Sequence, residues 1–262
     1  MAGITGKTPS ATYKDLLKIE NSNSGVDDTL RQVESGDGTG SALYIEKNSV
    51  KIAPTIDDTA LLSVKDKSGS TMFNVDTSTP SAQALGNNIN TQYAYFGMGY
   101  SGTSSWAANT HYPLIYNSHY ISSSLADVDF GTGTDPDDSF TAADTDTQYA
   151  SQIVPMIWRV VDNITIDSVT HIEGADNATG DTTRMHLKSF NFLSGISTCL
   201  ANGELLAHSS DITNTGNEKP FLNNWTIDSA DVVSTKAILC FFRSDSVNSD
   251  YSINVVIKYH LT

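Results

Sequence analysis

The stretch Ile253-Asn254-Val255-Val256-Ile257-Lys258-Tyr259-His260-Leu261 decides the fold class. Successive side chains of a strand point to opposite faces. Ile253, Val255, Ile257, Tyr259 and Leu261 therefore share one side, and Asn254, Val256, Lys258 and His260 the other. That is the pattern of a strand with one buried face. Strand-length apolar runs recur upstream at 153–161, 164–172, 184–192, 204–208, 221–227 and 236–243, separated by Asn, Asp, Gly and Ser. Many short strands with turn residues between them predict an all-β fold, with 151–262 forming a C-terminal jelly-roll-like β-sandwich. Its last strand runs to Leu261, so the C-terminal end is expected to be tied into a sheet.

Toward the N-terminus, 80–150 reads as connector and loops. It holds an aromatic stretch at 93–100, a second at 106–120, and an Asp-rich run from Asp127 through Asp146. Tyr93, Tyr95, Phe96 and Trp106 are candidates either for a subunit interface, where Tyr and Trp are enriched, or for stacking on sugar rings. Segment 41–79 reads as a β-hairpin oligomerisation module. Strands at 41–46 and 49–52 join through Lys47-Asn48, and strands at 60–65 and 71–75 join through Asp66-Lys67-Ser68-Gly69-Ser70. Two hairpins are marginal alone, and packing around a threefold axis would supply the missing burial. Segment 1–40 is polar and broken by Gly and Asn, so it cannot offset the entropy of ordering itself, roughly 1–2 kcal/mol per residue. It is expected to be a docking arm whose scattered apolar residues, Tyr13, Leu16, Leu17, Ile19, Val26, Leu30 and Val33, settle on partner subunits.

Charge narrows the partners. Lys and Arg number 15 against 30 Asp and Glu, a formal net charge of −15. Such a chain is repelled by nucleic-acid phosphates and anionic lipid, so neither nucleic-acid binding nor membrane insertion is expected. Charged residues are only 17% and hydrophobic residues 39%, which fits a β-rich globular chain better than a disordered one. The N-terminal residues show no apolar signal core, and an exposed β-protein without one fits a particle assembled inside a cell and released by lysis, or an ordinary cytosolic protein. Cys199 and Cys240 sit in apolar contexts and read as two buried thiols, with no CxxC pair for zinc.

The sequence carries none of the familiar catalytic patterns. Gly6-Lys7-Thr8 lacks the earlier glycine of a phosphate loop, and there is neither a Gly-x-Ser-x-Gly elbow nor His-Glu-x-x-His. His171 and Glu173 alternate on a strand, where they could join Asp167 or Asp176 around a metal, or simply lie on an exposed strand face. Asp135-Pro136-Asp137-Asp138 and Asp144-Thr145-Asp146 offer oxygen ligands, but Phe140 stands where an EF-hand needs Gly; a loose Ca²⁺ site and a solvated acidic loop are the two readings. No residue is assigned a catalytic, cofactor-binding or metal-binding role.

Leu16 through Arg31, with its Ile19-Glu20-Asn21-Ser22-Asn23-Ser24-Gly25 core, leads into Gly36-Asp37-Gly38-Thr39-Gly40-Ser41-Ala42-Leu43-Tyr44-Ile45. This run resembles the N-terminal module of tailed-bacteriophage virion proteins, among them tail fibres and head-surface proteins. Val64 through Val75 resembles their hairpin repeats. The resemblance covers about residues 12–76 and implies a virion component that works as a homotrimer. The function expected is therefore a non-enzymatic structural protein of a phage particle, held by its N-terminal region to major capsid or tail proteins as a capsid decoration (cement) protein or head fibre. The alternative is a short tail fibre or adhesin whose C-terminal domain binds a host-surface glycan.

Overall fold

The computed structural model describes residues 17–21, 24–99, 107–117, 130, 153–175, 179–196, 199–216, 219–247 and 251–262. Its contacts divide the chain into residues 1–89 and 90–262.

The first unit holds two antiparallel meanders. One runs β1 (Leu17–Ile19), β2 (Arg31–Ser35), β3 (Gly40–Ile45), β4 (Val50–Ile52); the other runs β5 (Leu62–Lys65), β6 (Thr71–Asp76), β7 (Ser81–Ala84), β8 (Asn87–Asn88). The turns are where their chemistry predicts. In the β5–β6 hairpin, Asp66 Oδ1 accepts from the backbone N–H of Ser68 and of Ser70, and Gly69 takes φ 89. Between β1 and β2, Asn21 Nδ2 donates to the carbonyl of Gly25 and to Asp27, and Asp27 pairs with Arg31 at 2.9 Å. The expected boundary at residue 40 thus falls inside a sheet: β2 belongs with β3, because Arg31 pairs with Ile45 and Gln32 with Tyr44.

The second unit is the sandwich, and it starts at Asn90 rather than at 151. Its strands are β9 (Thr91–Met98), β10 (His111–Pro113), β11 (Ile115–Tyr116), β12 (Trp158–Arg159), β13 (Ile164–Ala175), β14 (Thr182–Phe192), β15 (Leu200–His208), β16 (Ile212–Thr213), β17 (Lys219–Asn224), β18 (Thr226–Ile227), β19 (Asp231–Val232), β20 (Lys236–Ser244) and β21 (Tyr251–Leu261). One sheet runs β10-β20-β14-β15-β18, the other β11-β9-β21-β13-β17; β12 and β16 flank the first and β19 the second. Taking β9, β10, β13, β14, β15, β17, β20 and β21 as strands one to eight, the sheets read 2-7-4-5 and 1-8-3-6. That is the strand order of a jelly roll. The segment read as connector supplies its first two strands, because Ala94, Phe96 and Met98 alternate into the core.

Between the sheets lie Phe96, Ile166, Val169, Val255 and Ile257 from one side and Met185, Leu187, Ile238, Cys240 and Phe242 from the other, all buried. Each such side chain contributes roughly 1.5–3 kcal/mol of burial. Ile153–Val161 is not one strand. Pro155 fixes its φ and offers no N–H, so a 3-10 turn forms at Val154–Met156 and pairing begins at Trp158. Trp158 then stacks on Tyr116 at 6.0 Å.

The β14–β20 pair is buried on both faces. Away from the sandwich core it carries His186, Lys188, Phe190, Leu239 and Phe241, and Phe130 rests on Phe241 at 4.8 Å and on Phe190 at 6.5 Å. His186 is fully buried there and neither ring nitrogen has a hydrogen-bond partner. Burial, reinforced by His111, holds its pKa down to about 2, so the ring is neutral.

Candidate interaction surfaces

The first unit is built of amphipathic sheets whose apolar sides are partly exposed among the described residues: Leu43, Val50, Ile52, Leu62 and Val64 are exposed, and Ile45, Phe73 and Val75 half-buried. Register pairs Leu43 with Ile52 and Ile45 with Val50 on one face, leaving Tyr44 and Lys51 on the other, with Lys51 Nζ 5.5 Å from the Tyr44 ring centre. In the second meander Leu62, Val64, Phe73, Val75, Ala82 and Ala84 share one face, and Ser63, Asn74 and Gln83 the other. Val50 is 66% exposed and Val64 49%. Among the described residues of this unit, Val33 is the one buried hydrophobic. Of the expected docking residues, Leu17, Val26 and Leu30 are exposed and Ile19 is half-buried, but Val33 is a core residue with no surface to offer. Tyr13 and Leu16 lie outside the described residues.

The sandwich carries a third apolar surface, the outer face of the β11-β9-β21-β13-β17 sheet. Tyr95 pairs with Val256 and Val256 with Thr170; Asn254 pairs with Ile172 and Ile172 with Leu222. Tyr93, Tyr95, Ile172 and Leu222 are all exposed, Leu222 at 70%. Tyr93 and Tyr95 are thus available as expected, whereas Phe96 points inward with 0% exposure and can touch neither a glycan nor a subunit. Trp106 lies outside the described residues. Ile172, Val256 and Leu222 were not singled out in the sequence; only the register across three strands brings them beside the tyrosines.

The candidate metal pair, His171 and Glu173, is on the inner face instead of an exposed one. His171 Nδ1 accepts from Trp225 Nε1 at 2.6 Å, Glu173 Oε1 accepts from Thr183 Oγ1 at 2.6 Å, and His171 Nε2 stands 3.6 Å from Glu173 Oε2. Both residues are under 5% exposed. The two hydrogen bonds tie β13 to β14 and to the β17–β18 junction, while His171 Nε2 and Glu173 Oε2 make none. Asp167 lies apart, bonded to His260 Nδ1 at 2.9 Å, and Asp176 lies outside the described residues. Nearby, the Tyr251 hydroxyl is 2.9 Å from Ser244 Oγ, and burial pushes its pKa well up. Among the described residues no group of three or more His, Cys, Asp or Glu could hold a metal. The acidic run containing Asp135, Asp137, Asp138, Asp144 and Asp146 is outside them. Cys240 is buried, which raises its thiol pKa; Cys199 is half-buried, and both remain thiols.

No family model matches the sequence, and no curated protein matches it. Among solved structures, the chain aligns with a protein in the structure of infectious bursal disease virus, Gx strain, at TM-score 0.33 and 8% identity, over 88% of this chain and 44% of that one. A second, from the Gt strain, aligns at TM-score 0.27 and 8% identity, over 88% of this chain and 48% of that one. The chain spans less than half the length of either.

Proposed function

We propose that this chain is a non-enzymatic structural protein of a tailed-bacteriophage particle, a homotrimer held to the virion through residues 1–89 as a capsid decoration protein or head fibre. The observation that carries the reading is the pair of meanders whose apolar faces, Leu43/Ile45/Val50/Ile52 and Leu62/Val64/Phe73/Val75, stay exposed at Leu43, Val50, Ile52, Leu62 and Val64 among the described residues. Two small four-stranded meanders that leave these side chains in water gain stability when another surface covers them. Association of identical copies removes them from water and couples folding to assembly. The phage-module resemblance of residues 12–76 supports a virion setting and a threefold arrangement. Jelly rolls occur in capsid and in lectin domains, so the sandwich is compatible with this role without assigning it.

Sedimentation of the full chain is expected to give three times the monomer mass, and Leu43→Asp with Val64→Asp to give monomers. A monomeric wild-type protein would overturn the reading. Location is read separately, by labelling intact particles: label on the head agrees, and label confined to the tail sinks the capsid assignment. The clean truncation falls after residue 89, since a cut at 36 would split β2 from β3. Fragment 90–262 retains all eight roll strands and is expected to fold but not to join particles.

The second reading, a glycan-binding adhesin, draws on Tyr93 and Tyr95, two exposed rings on the face that also carries Asn254 and Asn224. Glycan-array binding lost on Tyr93→Ala with Tyr95→Ala, with folding intact, would favour it.

A further inference from the structure

We propose that the outer face of the β11-β9-β21-β13-β17 sheet is a second self-association surface, on which another copy of this chain packs through Tyr93, Tyr95, Ile172, Val256 and Leu222. The proposal rests on the homo-oligomer reading above and goes beyond it by adding a contact within the sandwich.

The side chains fit a protein partner. Ile172 and Leu222 stand opposite each other across β13 and β17, 51% and 70% exposed. Aliphatic groups offer a sugar neither a ring to stack on nor a hydrogen bond. Together with two tyrosines they have the makeup of an interface core, apolar and aromatic with few charges.

Charge favours a second copy. The chain carries −15, and two copies repel wherever carboxylates face each other. Across the rows Tyr93–Lys258–Ser168, Tyr95–Val256–Thr170–Asn224 and Gly97–Asn254–Ile172–Leu222 there is no carboxylate, and Lys258 contributes one positive charge. The acids at one end of the face are already bonded, Asp167 to His260 and Asp231 to Thr165. A neighbouring copy, carrying −15, can therefore approach these rows without meeting a carboxylate and finds Lys258 as an opposite charge.

Topology disfavours edge pairing and leaves the sheet face for the contact. The last strand of this sheet order, β17, opens with Lys219-Pro220, a charge and a residue with no N–H to donate. Chain continuity supplies the second copy. Only Ile89 and Asn90 separate β8 from β9, the strand that bears Tyr93 and Tyr95. Copies joined through residues 1–89 are thereby tethered by a two-residue linker, giving effective concentrations on the order of millimolar.

The test uses hydroxyl-radical footprinting of the full chain at Leu222 and Tyr95. Wild-type protein is compared with the Leu43→Asp/Val64→Asp variant, in which the first unit's contacts are broken. Reactivity at both residues is expected to rise severalfold when the assembly dissociates. Independently, Ile172→Asp/Leu222→Asp should raise the half-dissociation concentration of the wild-type assembly at least tenfold with unchanged circular dichroism, and the milder Ile172→Thr/Leu222→Thr should shift it the same way by less. Equal reactivity in assembled and dissociated protein overturns this surface and leaves the oligomer reading standing. Reactivity unchanged by dissociation but lowered by a saccharide mixture gives the face to a glycan and overturns the proposal equally. A wild-type chain that is monomeric at every concentration defeats both.

Discussion

Trp225 Nε1–H donates a 2.6 Å hydrogen bond to His171 Nδ1 in the interior between the two sheets. The acceptor role of Nδ1 places the imidazole proton of the neutral ring on Nε2, which faces Glu173 Oε2 at 3.6 Å. Trp225→Phe keeps a ring in place but orphans Nδ1, at a cost of about 1–3 kcal/mol. Urea unfolding at pH 7 should show this loss. Adding His171→Phe removes the orphaned Nδ1, so the double variant should lose less than the two single ones together. A double variant as unstable as the sum of the single ones would show that the hydrogen bond carries no coupling.

His186 makes the sandwich acid-sensitive. Its folded pKa of about 2 lies below the ordinary 6.5, so the unfolded chain binds a proton that the folded chain refuses. Stability from this group is complete above pH 6.5 and declines as pH falls toward 2, by at most about 1.4 kcal/mol per pH unit. Unfolding midpoints at pH 7, 6 and 5 should fall in the wild type and fall less in His186→Phe. Parallel curves would remove His186 from the account.

Asp27 is held to a pKa of about 2, below the ordinary 3.8, chiefly by the hydrogen bond from Arg31 and then by the Thr29 N–H. A depressed carboxylate stabilises the fold above pH 3.8 and loses that contribution as pH falls toward 2. In Arg31→Ala, NMR titration of the Asp27 carboxyl carbon should move its midpoint up toward the ordinary range. A midpoint that stays near 2 would assign the shift to the Thr29 N–H and Asn21 instead.

Thr235 sits at φ 82 in the turn between β19 and β20, a conformation that β-branched residues rarely adopt. The turn is held by its own N–H to the Val160 carbonyl and by Ser234 N–H to Asn163 Oδ1. Thr235→Asn should relieve the strain and stabilise by about 1 kcal/mol, read as a higher melting temperature. A lower melting temperature would mean that the Thr side chain makes a contact worth more than the strain.

Much of the fold was legible because local patterns agreed with tertiary demand. The hairpins closed by Lys47-Asn48 and by Asp66 through Ser70 stand as expected, since turn chemistry acts within a few residues. The β9 strand lies in a stretch read as connector and loops, although its alternation of Ala94, Phe96 and Met98 is present in the sequence. Of the aromatic candidates there, Tyr93 and Tyr95 are exposed and Phe96 is buried, because period-2 alternation, not aromatic clustering, decides which side chains face outward.

The sequence by itself determined that this is an all-β chain and that Ile253, Val255 and Ile257 share a buried face. Period and composition settle those points because each depends only on neighbours along the chain. The tertiary structure alone decided which face of β13 turns inward. A register shift between Ile166 and Ser168 opposite β21 leaves Asp167 as an extra residue, so Ile164 and Ile166 point inward before it and Val169, His171 and Glu173 after it. Strict alternation from Ile164 would have buried Ile172 and exposed His171. The bulge reverses both assignments, placing His171 against Trp225 in the core and Ile172 beside Leu222 on the surface, because a one-residue slip moves every following side chain to the opposite face.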